Sequence, residues 1–66
     1  MRNAARQIEP LLYSVTEVAK LIRFSRTKTY ELVQTGKIPS IMVEGRTRIT
    51  ADALDEWIAQ QPKRSF

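Results

Sequence analysis

Apolar residues recur along this chain with three different spacings, and each spacing marks an element. Leu11, Leu12 and Tyr13 form a short extended apolar lead. Ser14-Val15-Thr16-Glu17 has the form of a capping box, in which the serine oxygen accepts a free amide and the glutamate reaches back to the serine amide. A helix is therefore expected from Val15. Val15, Val18, Ala19 and Ile22 stand at i, i+3, i+4 and i+7, one apolar stripe about two turns long, with Leu21 on its shoulder and an end near Arg23. Phe24 lies in a tight connection. Ser25 then caps a second helix that runs to about Thr35 and is stopped by Gly36. On this helix Thr29, Leu32 and Val33 share one face. Thr27, Glu31 and Gln34 point the opposite way, with Arg26, Lys28 and Tyr30 on the flanks.

Pro39 breaks the helical pattern, and two short β-compatible runs follow, Ser40 to Val43 and Arg46 to Ile49, around Glu44-Gly45. This is a hairpin pattern. Glutamate adopts positive φ poorly, so a type I turn with Gly45 in the left-handed position is expected in place of a type I′ turn. Alternation along each strand places Ile41, Val43, Thr47 and Ile49 inward and Met42, Arg46 and Arg48 outward. Thr50 caps a third helix from Ala51 to about Gln60, with Leu54, Trp57 and Ile58 as its apolar face. The fold class this implies is mainly α with a small β-hairpin: a winged helix-turn-helix, three helices with a two-stranded wing between the second and third. It occupies residues 11–61, between a polar N-terminal arm (1–10) and a basic C-terminal tail (62–66).

Composition narrows the function. A chain of 66 residues holds one domain and buries a modest core. With no cysteine and no histidine there is no disulfide, no usual zinc site, no thiol nucleophile and none of the commonest general base. The expectation is a protein with no enzymatic activity, no catalytic residues, no metal and no cofactor. No apolar run nears the roughly 18 residues of a membrane span, and no secretory pattern opens the chain, which suits the cytoplasm of a host cell.

The net charge is +4 and the pI about 10.0, which points to a polyanionic partner. Residues 23–48 hold six basic groups against Glu31 and Glu44, whereas residues 50–61 hold Asp52, Asp55 and Glu56 with no basic residue. Charge is thus polarised along the chain. The three acids stand early in the third helix, where its dipole favours them, and this accounts for them better than a metal site does. Trp57 shares a face with Leu54 and Ile58 and reads as core.

Two helices joined by about three residues, with a small residue midway along the first, present the second helix to a DNA major groove. Here Ala19 is the small residue, and Val18, Ile22, Phe24, Thr29 and Leu32 take the core positions. Arg23 stands where glycine usually allows the turn and Thr29 where an aliphatic residue is usual, so a slightly distorted turn is expected. The candidate DNA contacts are Arg23, Ser25, Arg26, Thr27, Lys28, Tyr30, Glu31 and Gln34 around the second helix, with Arg46 and Arg48 on the wing. A solvated helix face is the plainer alternative for the first group. For the wing arginines it is an edge strand kept soluble by charge. Arg26 or Lys28 suits a guanine edge, the other then touching phosphate. Glu31 has three readings of equal weight: an acceptor from cytosine, an orienting group for a neighbouring cation, or an i, i+3 pair with Lys28. Arg2, Arg6, Lys63 and Arg64 read as solvated termini.

Over residues 11–60 the chain resembles the excisionase family of winged-helix proteins, recombination directionality factors related to the DNA-binding domain of mercury-resistance-type regulators. The resemblance is carried by Tyr13 to Ile22, Ser25 to Val33, Gly36-Lys-Ile-Pro39, and Val43 to Ile49 leading into Leu54 to Ile58. Met42 departs from it, standing where many relatives carry a basic residue. The resemblance implies a compact accessory factor, of a kind many phages encode. Such a factor binds repeated sites on double-stranded DNA cooperatively beside neighbouring copies of itself, bends the DNA and steers a tyrosine integrase toward excision. No membrane or small-molecule ligand is implied. Two rivals stay open: a small winged-helix transcriptional repressor, which fold alone does not exclude, and a protein-interaction module using the third helix and Met42.

Overall fold

The computed structural model describes residues 11–63. The elements in chain order are β1 (Leu12–Tyr13), α1 (Val15–Ile22), α2 (Arg26–Gln34), β2 (Ile41–Val43), β3 (Arg46–Thr50) and α3 (Ala51–Ala59). Three helices and a small antiparallel sheet make a winged helix-turn-helix. The N-terminal arm and Arg64 to Phe66 of the tail lie outside the described residues.

Each helix begins on the hydroxyl residue expected of it. At α1 the capping box is complete: the Glu17 amide donates to Ser14 Oγ at 3.1 Å and the Ser14 amide donates to Glu17 Oε1 at 2.8 Å. Ser25 Oγ accepts from the Lys28 amide, and Thr50 Oγ1 from the Ala53 amide. The ends of α1 and α2 are alike. After α1, Arg23 takes the left-handed conformation at φ 63°, and the Phe24 amide reaches back to the Ala19 carbonyl at 3.0 Å. After α2, Gly36 does the same at φ 79°, with its amide on Val33 O and the Lys37 amide on Leu32 O at 2.9 Å. Both closures satisfy carbonyls that the helix leaves open. The tight turn after α1 is closed by the arginine itself, which adopts the left-handed backbone geometry usually given to glycine. Thr29 is equally accommodated: fully buried, it donates its hydroxyl to the Ser25 carbonyl at 2.8 Å.

The core consists of Val15, Val18, Leu32, Ile38, Ile49 and Leu54, with Tyr13, Ile22, Val33, Ala53 and Trp57 packed against it. Ile38 was not legible as core in the sequence, because it follows α2 in a segment without periodicity. The Leu32 carbonyl accepts from both Lys37 and Ile38, and that closure turns the chain inward and buries Ile38 completely. Two expected core residues lie elsewhere. Phe24 is 42% exposed and Ile58 49%.

The expected two-stranded wing is present as β2 and β3, and the sheet extends beyond it in the order β1-β3-β2, since the apolar lead pairs with β3 as Leu12↔Thr50 and Tyr13↔Ile49. The hairpin itself departs from expectation in two respects. The turn has positive φ at both central residues, Glu44 at 51° and Gly45 at 79°, so it has the backbone signs of a type I′ turn in spite of the glutamate. A two-residue loop matches the twist of its strands best in that form. Finally, such a loop places an even-numbered residue on one strand opposite an odd-numbered one on the other: Ile41↔Arg48, Met42↔Thr47 and Val43↔Arg46. Cross-strand partners share a face. Ile41 and Val43 therefore lie with the arginines on the outer face, and Met42 lies with Thr47 on the face that carries buried Ile49. Met42 is nonetheless 67% exposed, because the hairpin tip projects beyond the core, and its sulfur accepts from the Thr47 hydroxyl at 3.5 Å.

The two left-handed positions give a paired stability prediction. Arg23→Gly removes a strained non-glycine residue and is expected to stabilise the fold by about 0.5–1 kcal/mol. Gly36→Ala meets no atom within 4 Å of its new Cβ, so its cost is conformational alone, about 1–2 kcal/mol. Thermal unfolding followed by circular dichroism should shift upward for the first and downward for the second, by about 4–8 °C per kcal/mol.

Candidate nucleic-acid interface

α2 packs mainly on α1, while the hairpin is held through β3 against α1 and α3. The candidate residues thus form two groups on separately supported elements.

The first group surrounds the head of α2. Arg23, Ser25, Arg26, Thr27, Lys28, Tyr30, Glu31 and Gln34 are all exposed, and Thr29 and Leu32 on the opposite face are buried. Ser25 occupies only one of the open amides of the first turn, leaving those of Arg26 and Thr27 as groups the helix itself does not pair. The electrostatics of this end differ from those of the other helices. α1 carries Glu17 and α3 carries Asp52 in the first turn, but α2 has no acidic residue there. The positive end of its dipole is therefore not offset by its own first turn, and Arg26 and Lys28 add full charges to it. Of the three readings of Glu31, the structure displays the i, i+3 pair: Lys28 Nζ stands 3.8 Å from Glu31 Oε1.

The second group is the outer face of the wing. Arg46 is exposed and lies across from Val43. Arg48 is half-buried across from Ile41, its Nη1 donating to the Thr47 carbonyl at 2.8 Å. Two guanidinium groups alternate with two β-branched apolar residues. The arginines are legible from alternation along one strand, whereas their apolar neighbours follow only from the two-residue loop, which sets the register.

Phe24 and Ile58, displaced from the core, instead wall a groove of about 540 Å³ together with Leu21, Ile22, Leu32 and Trp57, with Lys28 and Gln61 at its polar positions. Phe24 and Trp57 meet edge to face there, ring centroids 6.2 Å apart. Among the described residues no three histidine, cysteine, aspartate or glutamate side chains gather so as to hold a metal ion, and no helix is long and apolar enough to cross a membrane.

A short-linked helix pair whose second helix is basic and solvent-facing, followed by a β-wing with arginines on its outer face, defines a winged helix-turn-helix protein of the nucleic-acid-binding class. A helix-turn-helix domain family model matches residues 12–62. An excisionase of Streptomyces ambofaciens is 33% identical over 54 residues, covering 82% of this chain and 87% of the relative. A probable excisionase of Saccharopolyspora erythraea is 40% identical over 58 residues, covering 86% of this chain, which spans only 59% of that longer relative. No solved structure matches. The chain belongs to the excisionase family of helix-turn-helix proteins.

The cap of α2 is testable without DNA. Ser25→Ala removes the acceptor for the Lys28 amide and should lower stability by about 1 kcal/mol, whereas Ser25→Asp retains an acceptor and should restore most of the loss. Urea unfolding of the three proteins, with unchanged m-values, is the measurement.

Proposed function

We propose that this protein is a DNA-binding excisionase: it binds neighbouring sites cooperatively, bends the duplex and thereby promotes excision by a tyrosine integrase in the cytoplasm of the host cell. The observation that carries the reading is the head of α2, where uncompensated amides and basic side chains face solvent together, in a chain whose relatives bear the name excisionase. α2 enters the major groove. Arg26, whose planar fork matches the two acceptors of guanine, reads a base edge. Arg23, Ser25 and Thr27 hold phosphate, while Tyr30, Glu31 and Gln34 complete the contact surface. Arg46 and Arg48 carry the wing into the adjacent minor groove, where a narrow groove concentrates negative potential.

A single module of this size covers few base pairs and has limited affinity at physiological salt. Neighbouring copies supply the rest. Asp52, Asp55 and Glu56 are exposed on α3, so the acidic side of one copy meets the basic side of the next, a head-to-tail contact that propagates along direct repeats. Wings inserted at regular intervals then curve the duplex, the deformation being offset by the contacts it permits.

Gel-shift titration on one, two and three adjacent sites, with circularly permuted fragments to report bending, tests this function. Cooperative binding and anomalous mobility are expected; independent binding to unbent DNA would leave simple repression as the better account, as would sites mapping to a promoter in place of an attachment site. With about four to six phosphates neutralised, log affinity should fall against log salt with a slope of roughly −4 to −5, and a flat response would exclude the reading. Arg26→Ala should cost about 1–3 kcal/mol at the preferred site and relax sequence preference. Arg46→Ala with Arg48→Ala should lower affinity and salt slope together; unchanged binding would reduce the wing to an edge strand.

A further inference from the structure

Glu31 is the one acidic residue of α2, and it lies on the outward face beside Thr27 and Gln34. Its pair with Lys28 is the only ion pair among the described residues, a single contact at 3.8 Å with the two side chains 55% and 63% exposed. An exposed i, i+3 pair with such loose geometry contributes little to folding. Stability therefore does not account for a carboxylate on this surface. Against a polyphosphate it is a liability, since like charges repel within the Debye length of physiological salt.

We propose that Glu31 sets the specificity of the interface by holding Lys28 in a pair that opens only at a matching base; the inference rests on the DNA-binding reading above. While paired, the Lys28 charge is partly offset within its own helix, so Lys28 contributes less on meeting a phosphate and complexes on arbitrary sequence gain less from this cation. In the major groove an exocyclic amino group, the cytosine N4 or adenine N6 donor, can replace Lys28 as the partner of Glu31. The ammonium is then free for phosphate or a guanine edge. Discrimination arises from a penalty in the wrong complexes as much as from a contact in the right one. Glu31 acts here through Lys28, as a positioning residue, and the loose single-contact geometry suits a pair that exchanges partners.

The test is Glu31→Gln in the full chain, which keeps size and hydrogen bonding while removing the charge. Affinity for random-sequence duplex should rise about 3–10-fold, and the log–log salt slope should steepen, by up to about 1 as Lys28 becomes fully available to phosphate. Affinity for the best duplex selected from a random pool should rise less, so the ratio of the two falls. In a Lys28→Met background the same substitution should leave the slope unchanged and move random-duplex affinity far less. An unchanged or weakened random-duplex affinity for Glu31→Gln would overturn the proposal, as would an equal gain in the Lys28→Met background, which would mean direct repulsion without the pair. Matching circular-dichroism melts exclude a folding effect. Absence of salt-dependent duplex binding by the unmodified protein would overturn both readings; an inert Glu31→Gln in a protein that binds would overturn this one alone.

Discussion

The structure depends on the burial of Ile49. It lies at 0% exposure on β3, the strand that pairs with both β1 and β2 and packs against α1 and α3. Once Ile49 faces the core, the period of two along a strand sends Arg46 and Arg48 to the opposite face. The same residue sets the register of β1 through Tyr13, and Thr50 follows immediately to start α3. One apolar side chain thus places the wing, the apolar lead and the third helix together.

Against this frame α2 is the exception. It leans on α1 through Leu32 and the fully buried Thr29, whose hydroxyl is satisfied by the Ser25 carbonyl. It has little apolar surface to bury. Its outward face is consequently free to carry charge, and its first turn lacks the carboxylate that quiets the dipole of the other two helices. Stability and function are divided among elements: α1, β3 and α3 supply apolar burial, and α2 and the hairpin tip supply cations at modest structural cost. The turn residue Arg23, held at positive φ, stands where these roles meet, since a glycine would relieve the backbone but would remove a cation beside the head of α2.

Much of this was legible in the chain. Capping residues Ser14, Ser25 and Thr50, the stripe from Val15 to Ile22 and the stop at Gly36 each act over three or four residues, and short-range patterns of this kind are local chemistry. The outward positions around the head of α2 followed from helical period alone. The features that the chain does not disclose lie where local pattern is silent. Alternation within each hairpin strand alone puts Ile41 and Val43 inward; only the pairing across a two-residue loop, with Val43 opposite Arg46, reveals that they share the arginine face. Glu44 at positive φ is a local penalty accepted for the sake of strand twist.

The sequence by itself determined the elements, their caps, the polarity of charge and the identity of the outward cations, because each follows from neighbours within one or two turns. Tertiary structure decided the rest: the third strand, the burial of Ile38 by the doubled acceptor at Leu32, and the displacement of Phe24 and Ile58 from core to groove. The reason is physical. A strand acquires its partner, and an apolar side chain its burial, only when segments distant in the chain are brought together, and no periodicity within one segment contains that information.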